Sequence, residues 1–171
     1  MMVLQALAAA LLLLLLGDFF ATFAYHVPEH VFGKFHSIVH HSPNRSFVRY
    51  ALHHRKPIAL VDGFFSAFPY FAFVPWLWQL SPWGTTLGLG LAGLHVIWRH
   101  QFSPTYATPE WLQRVCQGLG LSTPERHYIH HCHANLAFGD IFSFFGTPAE
   151  RWMKWLRWVK VQQRSRRSMA R

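Results

Sequence analysis

The sequence predicts an all-α integral membrane protein: about three transmembrane helices, a single span plus a hairpin, with a cytoplasmic helical cap rich in histidine and a C-terminal amphipathic basic helix. Three observations carry that prediction. The 171 residues are 51% hydrophobic and only 13% charged, against roughly 45–50% and about 25% in soluble domains. That leaves too little polar surface to wrap a globule, while the 17% of aromatic residues excludes disorder. Finally, none of the 16 lysines and arginines precedes Lys34, and none lies between Lys56 and Arg99.

The first span is the apolar stretch Val3–Phe23, broken only by Gln5 and Asp18. At 1.5 Å per residue it crosses a hydrocarbon core of about 30 Å. Without a basic n-region or a small-residue cleavage site, it reads as a retained anchor and not a leader. The second stretch, Ile58–Leu80, holds Asp62, Pro69 and Pro75, which predicts a kinked span or a re-entrant hairpin. The third, Trp83–Trp98, comes after only Ser81 and Pro82, so the two form a hairpin. Gly84 and Gly88 form a GxxxG that permits close helix approach.

This cation distribution puts every Lys and Arg, and every histidine, at one membrane face. The positive-inside bias makes that face cytoplasmic, in a bacterial inner membrane or the endoplasmic reticulum. Residues 1–150 form the membrane-embedded domain, and 151–171 a basic, Trp-rich interfacial helix and tail. In the tail, Trp152, Trp155 and Trp158 recur every three residues among Lys154, Arg157 and Lys160. Aromatics at headgroup level and cations towards anionic lipid account for this pattern, so the expected partner is membrane and not nucleic acid. Arg164–Arg171 reads as a solvated, disordered end. Cys116 and Cys132 lie outside any CxxC and offer no disulfide framework.

The chemistry lies in the 13 histidines, which outnumber the 7 acids. Four clusters stand out: His26 and His30; His36, His40 and His41; His95 and His100; His127, His130 and His131. On a helix, positions i, i+3 and i+4 share a side, so HYIHH (127–131) projects three imidazoles together. In HSIVHH (36–41), His36 and His40 project together and His41 lies about 100° further round. For His53, His54 and His133 the plainer reading, a hydrogen-bonded core or interface histidine, is preferred. Neutral imidazole ligates iron, zinc or copper. The clustered rings exceed the needs of one tetrahedral zinc and suit two metals with positions left open. The acids are too few and dispersed for a carboxylate-bridged bundle, and no ExxH occurs. Asp18 and Asp62, one to two turns inside the membrane, are candidates to orient ligand imidazoles, as are Asn135 and Asp140 after the last cluster.

The strings DFFATFAYHVPEH, FHSIVHHSPN, LHVIWRH and TPERHYIHHCHANLAFGDIFSFFGT resemble the fatty acid hydroxylase/sterol desaturase superfamily of integral-membrane histidine-box enzymes. The resemblance runs from about Asp18 to Thr147 and is most specific in the last string. It implies two iron ions, with zinc a possible substitute, held by His26, His30, His36, His40, His41, His95, His100, His127, His130 and His131. It further implies O2 as co-substrate, hydroxylation or desaturation of a fatty acyl chain or sterol, and an external electron donor of ferredoxin or cytochrome type. No haem, iron–sulfur or nucleotide motif lies in the chain. A basic surface of Lys34, Arg45, Arg49, Arg55 and Lys56 would dock such a donor or contact lipid headgroups. The chain departs from the family pattern in three places. HSIVHH has one residue more than the usual HxxHH, Pro28 is expected to kink the helix between His26 and His30, and His95 and His100 are five apart. The alternative these departures leave open is a catalytically decayed, metal-binding homologue.

Overall fold

The computed structural model describes residues 1–33, 35–36, 52, 55, 58–100 and 106–169, and no strand occurs among them. Helix α1 is continuous over Met2–Phe32. Within it Met2–Phe20 and Val27–Phe32 are α-helical, and Ala21–His26 is a π-helical turn. Helix α2 (Ile58–Ala72) contains Pro69, and the chain turns at Phe73 into α3 (Val74–Leu80). Pro75 sits in the first turn of α3, where no helical partner for its missing N–H is needed. Helix α4 (Pro82–Arg99) completes the hairpin, its start fixed by the Ser81 hydroxyl accepting from Gly84 N at 3.1 Å.

Two of these segments, Met2–Phe32 and Leu60–Leu80, are long and apolar enough to cross a membrane. Only 28% and 17% of their most apolar windows are buried within the protein. Leu4, Leu11, Phe64, Phe68, Phe71 and Trp76 all face outward. The third expected span, Trp83–Trp98, is helical, but its glycines, threonines and His95 dilute it below the same threshold.

The expected close approach at GxxxG is present, and its partner is α1. A Cβ on Gly84 would come within 2.2 Å of the Ala6 carbonyl, and one on Gly88 within 3.1 Å of that of Ala10. On another side of α1, Gly17 lies flat against the Tyr70 ring of α2.

Beyond the hairpin come α5 (Glu110–Leu119), α6 (Pro124–Cys132), a short 3₁₀ turn (Ser143–Phe145) and α7 (Gly146–Met169). Gly120, at φ 65°, ends α5 in the left-handed conformation that glycine adopts freely. Thr123 caps α6, with Pro124 at its first turn. Helix α7 starts at Gly146, ahead of the Arg151 boundary read from the sequence. Its inner face, Ala149, Met153 and Leu156, packs on Val27, Val31 and Phe138. Trp155 and Trp158 are exposed, Trp152 is half-buried, and the expected disordered end is helical through Met169.

Candidate metal centre

The site begins with a fault in α1. At the π-helical turn Val27 N bonds Thr22 O, five residues back instead of four. The Phe23 carbonyl therefore loses its usual partner, and Pro28, next in line, has no N–H to offer. The Trp152 indole of α7 fills the gap, donating to Phe23 O at 3.0 Å. Pro28 thus falls where the helix ladder is already interrupted, and the helix continues past it to Phe32. A π-turn inserts one residue and rotates the helix downstream of it. Here it sets the His26 and His30 rings stacked at 5.1 Å between centroids.

Two further segments bring imidazoles to this pair. The Glu29 carboxylate accepts from Phe35 N at 2.7 Å and from His36 N at 3.5 Å, folding His36 back over the end of α1. Helix α6 contributes His130, whose Nε2 lies 2.9 Å from His26 Nε2. One nitrogen each of His26, His30, His36 and His130 fall within 4.8 Å of one another. His26, His36 and His130 are at most 4% exposed. Their remaining nitrogens are held from behind. His36 Nδ1 lies 3.3 Å from Asp62 Oδ1, which also accepts from Tyr25 Oη at 2.7 Å. His26 Nδ1 lies 3.5 Å from Asp140 Oδ1, and His130 Nδ1 lies 2.8 Å from the Leu136 carbonyl.

The second group draws on the same helix, so the three HYIHH rings expected to act together are divided: His130 joins the first group, His127 and His131 the second. His127 Nε2 is 3.1 Å from both His100 Nε2 and His131 Nε2. Ligand nitrogens of these three also lie within 4.8 Å of one another. His100 Nδ1 is engaged by the Val96 carbonyl at 2.7 Å. The groups adjoin, with the His127 and His130 rings 6.2 Å apart.

These distances fit metal ligation. Metal–nitrogen bonds of about 2.1 Å put neighbouring nitrogens about 3.0 Å apart at a right angle and about 3.4 Å at a tetrahedral angle. All-imidazole donor sets suit iron, zinc or copper. Burial favours the neutral, ligating form of several of these rings. Burial, and then Arg99, lower His100 to about 4. Burial first and neighbouring charges second hold His127 and His130 well below their ordinary value.

Not every expected residue is brought here. His40 and His41 lie outside the described residues, as do His53, His54, Lys34, Arg45, Arg49 and Lys56. His95 belongs to neither group, because its Nε2 lies 2.9 Å from the Ser122 carbonyl. Asn135 is exposed and accepts from Arg157 at 2.7 Å, away from any ligand. His133 is exposed and not in the core. Among the described residues Asp18 touches no imidazole. Its carboxylate accepts from the backbone N–H groups of Asp140, Ile141 and Phe142 at 3.0, 3.0 and 2.6 Å, and from Thr22 Oγ1 at 3.0 Å. It therefore anchors the loop that carries Asp140.

Sequence reasoning missed Arg99, Glu29 and Tyr25. Arg99 Nη1 pairs with Asp140 Oδ1 at 2.9 Å, both residues being buried. Burial alone would raise Asp140, but the guanidinium and His26 hold it well below the usual carboxylate range. In the sequence Arg99 stood out only as the first cation after the apolar hairpin.

A cavity of about 270 Å³ opens between α2 and α4. Asp62, Arg99 and His100 line one end, and Tyr70, Leu89 and Gly93 line the rest. The second imidazole group therefore borders open space.

Comparison with protein families, characterised proteins and solved structures finds no match. The functional argument accordingly rests on the site itself.

Proposed function

We propose that this protein is a membrane-bound non-haem di-iron oxidoreductase that uses O2 and external electrons to hydroxylate or desaturate a lipid. The observation that carries the reading is the adjacency of two imidazole groups across α6, one of which borders a largely apolar cavity. Outward-facing apolar side chains on α1 and α2 support burial in lipid, where they meet no water. The confinement of cations to one end supports three crossings with the histidines on the cytoplasmic side.

When bound, a pair of irons supplies the reduction of O2 and the oxidation of an unactivated C–H bond. His26, His30, His36 and His130 would hold one ion, and His100, His127 and His131 the other. Asp62 and Asp140 fix the ring tautomers of His36 and His26, leaving Nε2 to ligate. Glu29 positions His36, and Asp18 positions Asp140 through its loop. The apolar walls between α2 and α4 exclude water from the reacting carbon. Electrons come from a separate ferredoxin- or cytochrome-type carrier, because the chain has no redox motif of its own.

The test is metal analysis of detergent-purified protein made under iron-replete conditions, followed by reduction and exposure to O2 with candidate lipids. Close to two irons per chain, with a product gaining an oxygen or losing two hydrogens, is the expected result. Zinc alone, or no metal, would overturn the oxygenase and favour a decayed metal-binding homologue.

A further inference from the structure

We infer that α5 lies in the plane of the bilayer, with Trp111, Val115 and Leu119 sunk into the headgroup–acyl boundary of the leaflet at which α4 ends, whatever the charge of the lipid. The inference rests on the reading of α1, α2 and α4 as membrane crossings, and not on the metals.

The sequence of α5 divides it lengthwise. Trp111, Val115 and Leu119 are four apart and share one side of the helix. Gln113 and Gln117 lie on the opposite side, and Glu110 pairs with Arg114 at 3.6 Å. Of the helix's 10 residues only Cys116 is buried. The stripe itself is open, with Trp111 65%, Val115 47% and Leu119 63% exposed. Phe144, also exposed, lengthens it, because its ring lies 2.8 Å from where a Cβ on Gly120 would stand. So short a helix is marginal in water by itself, and among the described residues nothing covers this stripe.

The position of α5 decides what does cover it. Ahead of the helix, Tyr106 Oη accepts from Trp98 Nε1 at 2.7 Å. Behind it, the Ser122 carbonyl accepts from His95 Nε2 at 2.9 Å. Both flanks are thus tied to the closing turns of α4, where Leu94 and Ile97 face outward. At that level the stripe continues an apolar surface already turned to acyl chains. A hydrogen-bonded Trp–Tyr pair suits the same boundary, since each ring has an apolar body and a polar tip. Helices divided in this way lie along the interface with the apolar side about 5–10 Å deep. With its one acid and one base paired, α5 needs no anionic lipid, in contrast to α7 with Arg151, Lys154 and Arg164.

This placement reaches the metal centre. Thr108 donates to the Glu125 carboxylate of α6 from its backbone N at 2.7 Å and from Oγ1 at 3.0 Å. The helix that carries His127 and His131 is therefore moored to the leaflet through the flank of α5.

The experiment uses full-length protein in nanodiscs of zwitterionic phosphatidylcholine. Cys132→Ser removes the exposed thiol while the buried Cys116 stays, and a nitroxide is attached in turn at Val115→Cys, Leu119→Cys and Gln117→Cys. Collisions with O2, which concentrates among acyl chains, and with a water-soluble nickel chelate then report depth. At Val115 and Leu119 the ratio of O2 to nickel collisions is expected to be severalfold higher than at Gln117, and unchanged when phosphatidylglycerol is added. Phe68→Cys, on the outward side of α2, is the membrane reference. Nickel-rich collisions at Val115 and Leu119 with Phe68 in lipid would put the stripe in water and overturn the inference alone. Labels shielded from both probes would mean that protein covers α5, which overturns it equally. A high ratio that appears only with phosphatidylglycerol would refute the independence from lipid charge. Nickel-rich collisions at Phe68 would sink the membrane reading and the inference together.

Discussion

The group at His26, His30, His36 and His130 draws on three segments of chain and is backed by two carboxylates. The group at His100, His127 and His131 draws on the end of α4 and on α6, and behind His100 stands a backbone carbonyl. A carboxylate behind a ligating imidazole raises its basicity and fixes its orientation. The first group is thus the more rigid and electron-rich, and it lies under α7. The second borders the cavity, with the guanidinium of Arg99 beside it. In the proposed enzyme the difference is a division of labour, with one metal anchored and its neighbour presented to the substrate.

The largest effects come from removing ligands one group at a time. His130→Ala is expected to cost the first group its ion and His131→Ala the second, each lowering iron from about two per chain to about one, the loss of a ligand set's single ion. Plasma mass spectrometry on purified protein reads this directly. If either substitution empties both positions, the two groups behave as one coupled site and the division of labour fails. Next in size is Asp140→Asn, which leaves Arg99 buried without a counter-charge. Breaking a buried pair in this way costs about 3–5 kcal/mol, seen as a lower melting temperature in detergent. The double variant Asp140→Leu with Arg99→Leu should recover much of that loss. No recovery would mean that Asp140 acts mainly through His26.

How far could this have been read from residues alone? The membrane-length helices were legible because apolar runs are local features, whereas the Ser81 and Thr123 caps were not read in advance. The HYIHH box placed three rings on α6, and periodicity explains how they divide. His127 and His131 are four apart and share a face, while His130 and His131 are neighbours about 100° apart and serve different groups. By the same arithmetic His95 and His100, five apart, point about 140° away from each other, so only one joins a group. The π-turn was not legible, because the Phe23 carbonyl finds its partner in Trp152, more than a hundred residues later. Nor were Glu29 and Asp18 as loop anchors. Each looks like an ordinary acid until the backbone N–H groups it accepts from are brought to it by long-range packing.

That π-turn offers the finest division between the groups. His26 closes it, whereas His100, His127 and His131 have no covalent neighbour near it. Trp152→Phe keeps an aromatic ring against Trp155 but removes the indole N–H, leaving the Phe23 carbonyl without its donor. One lost hydrogen bond of this kind costs about 1 kcal/mol, a small but measurable drop in melting temperature. Relaxation of the turn towards ordinary α-helix would then rotate His26 relative to His30. The first group should therefore release its ion to a competing chelator a few-fold more readily, while the second is unchanged. Equal weakening of both would mean that Trp152 clamps α7 onto the bundle as a whole and sets no register in α1.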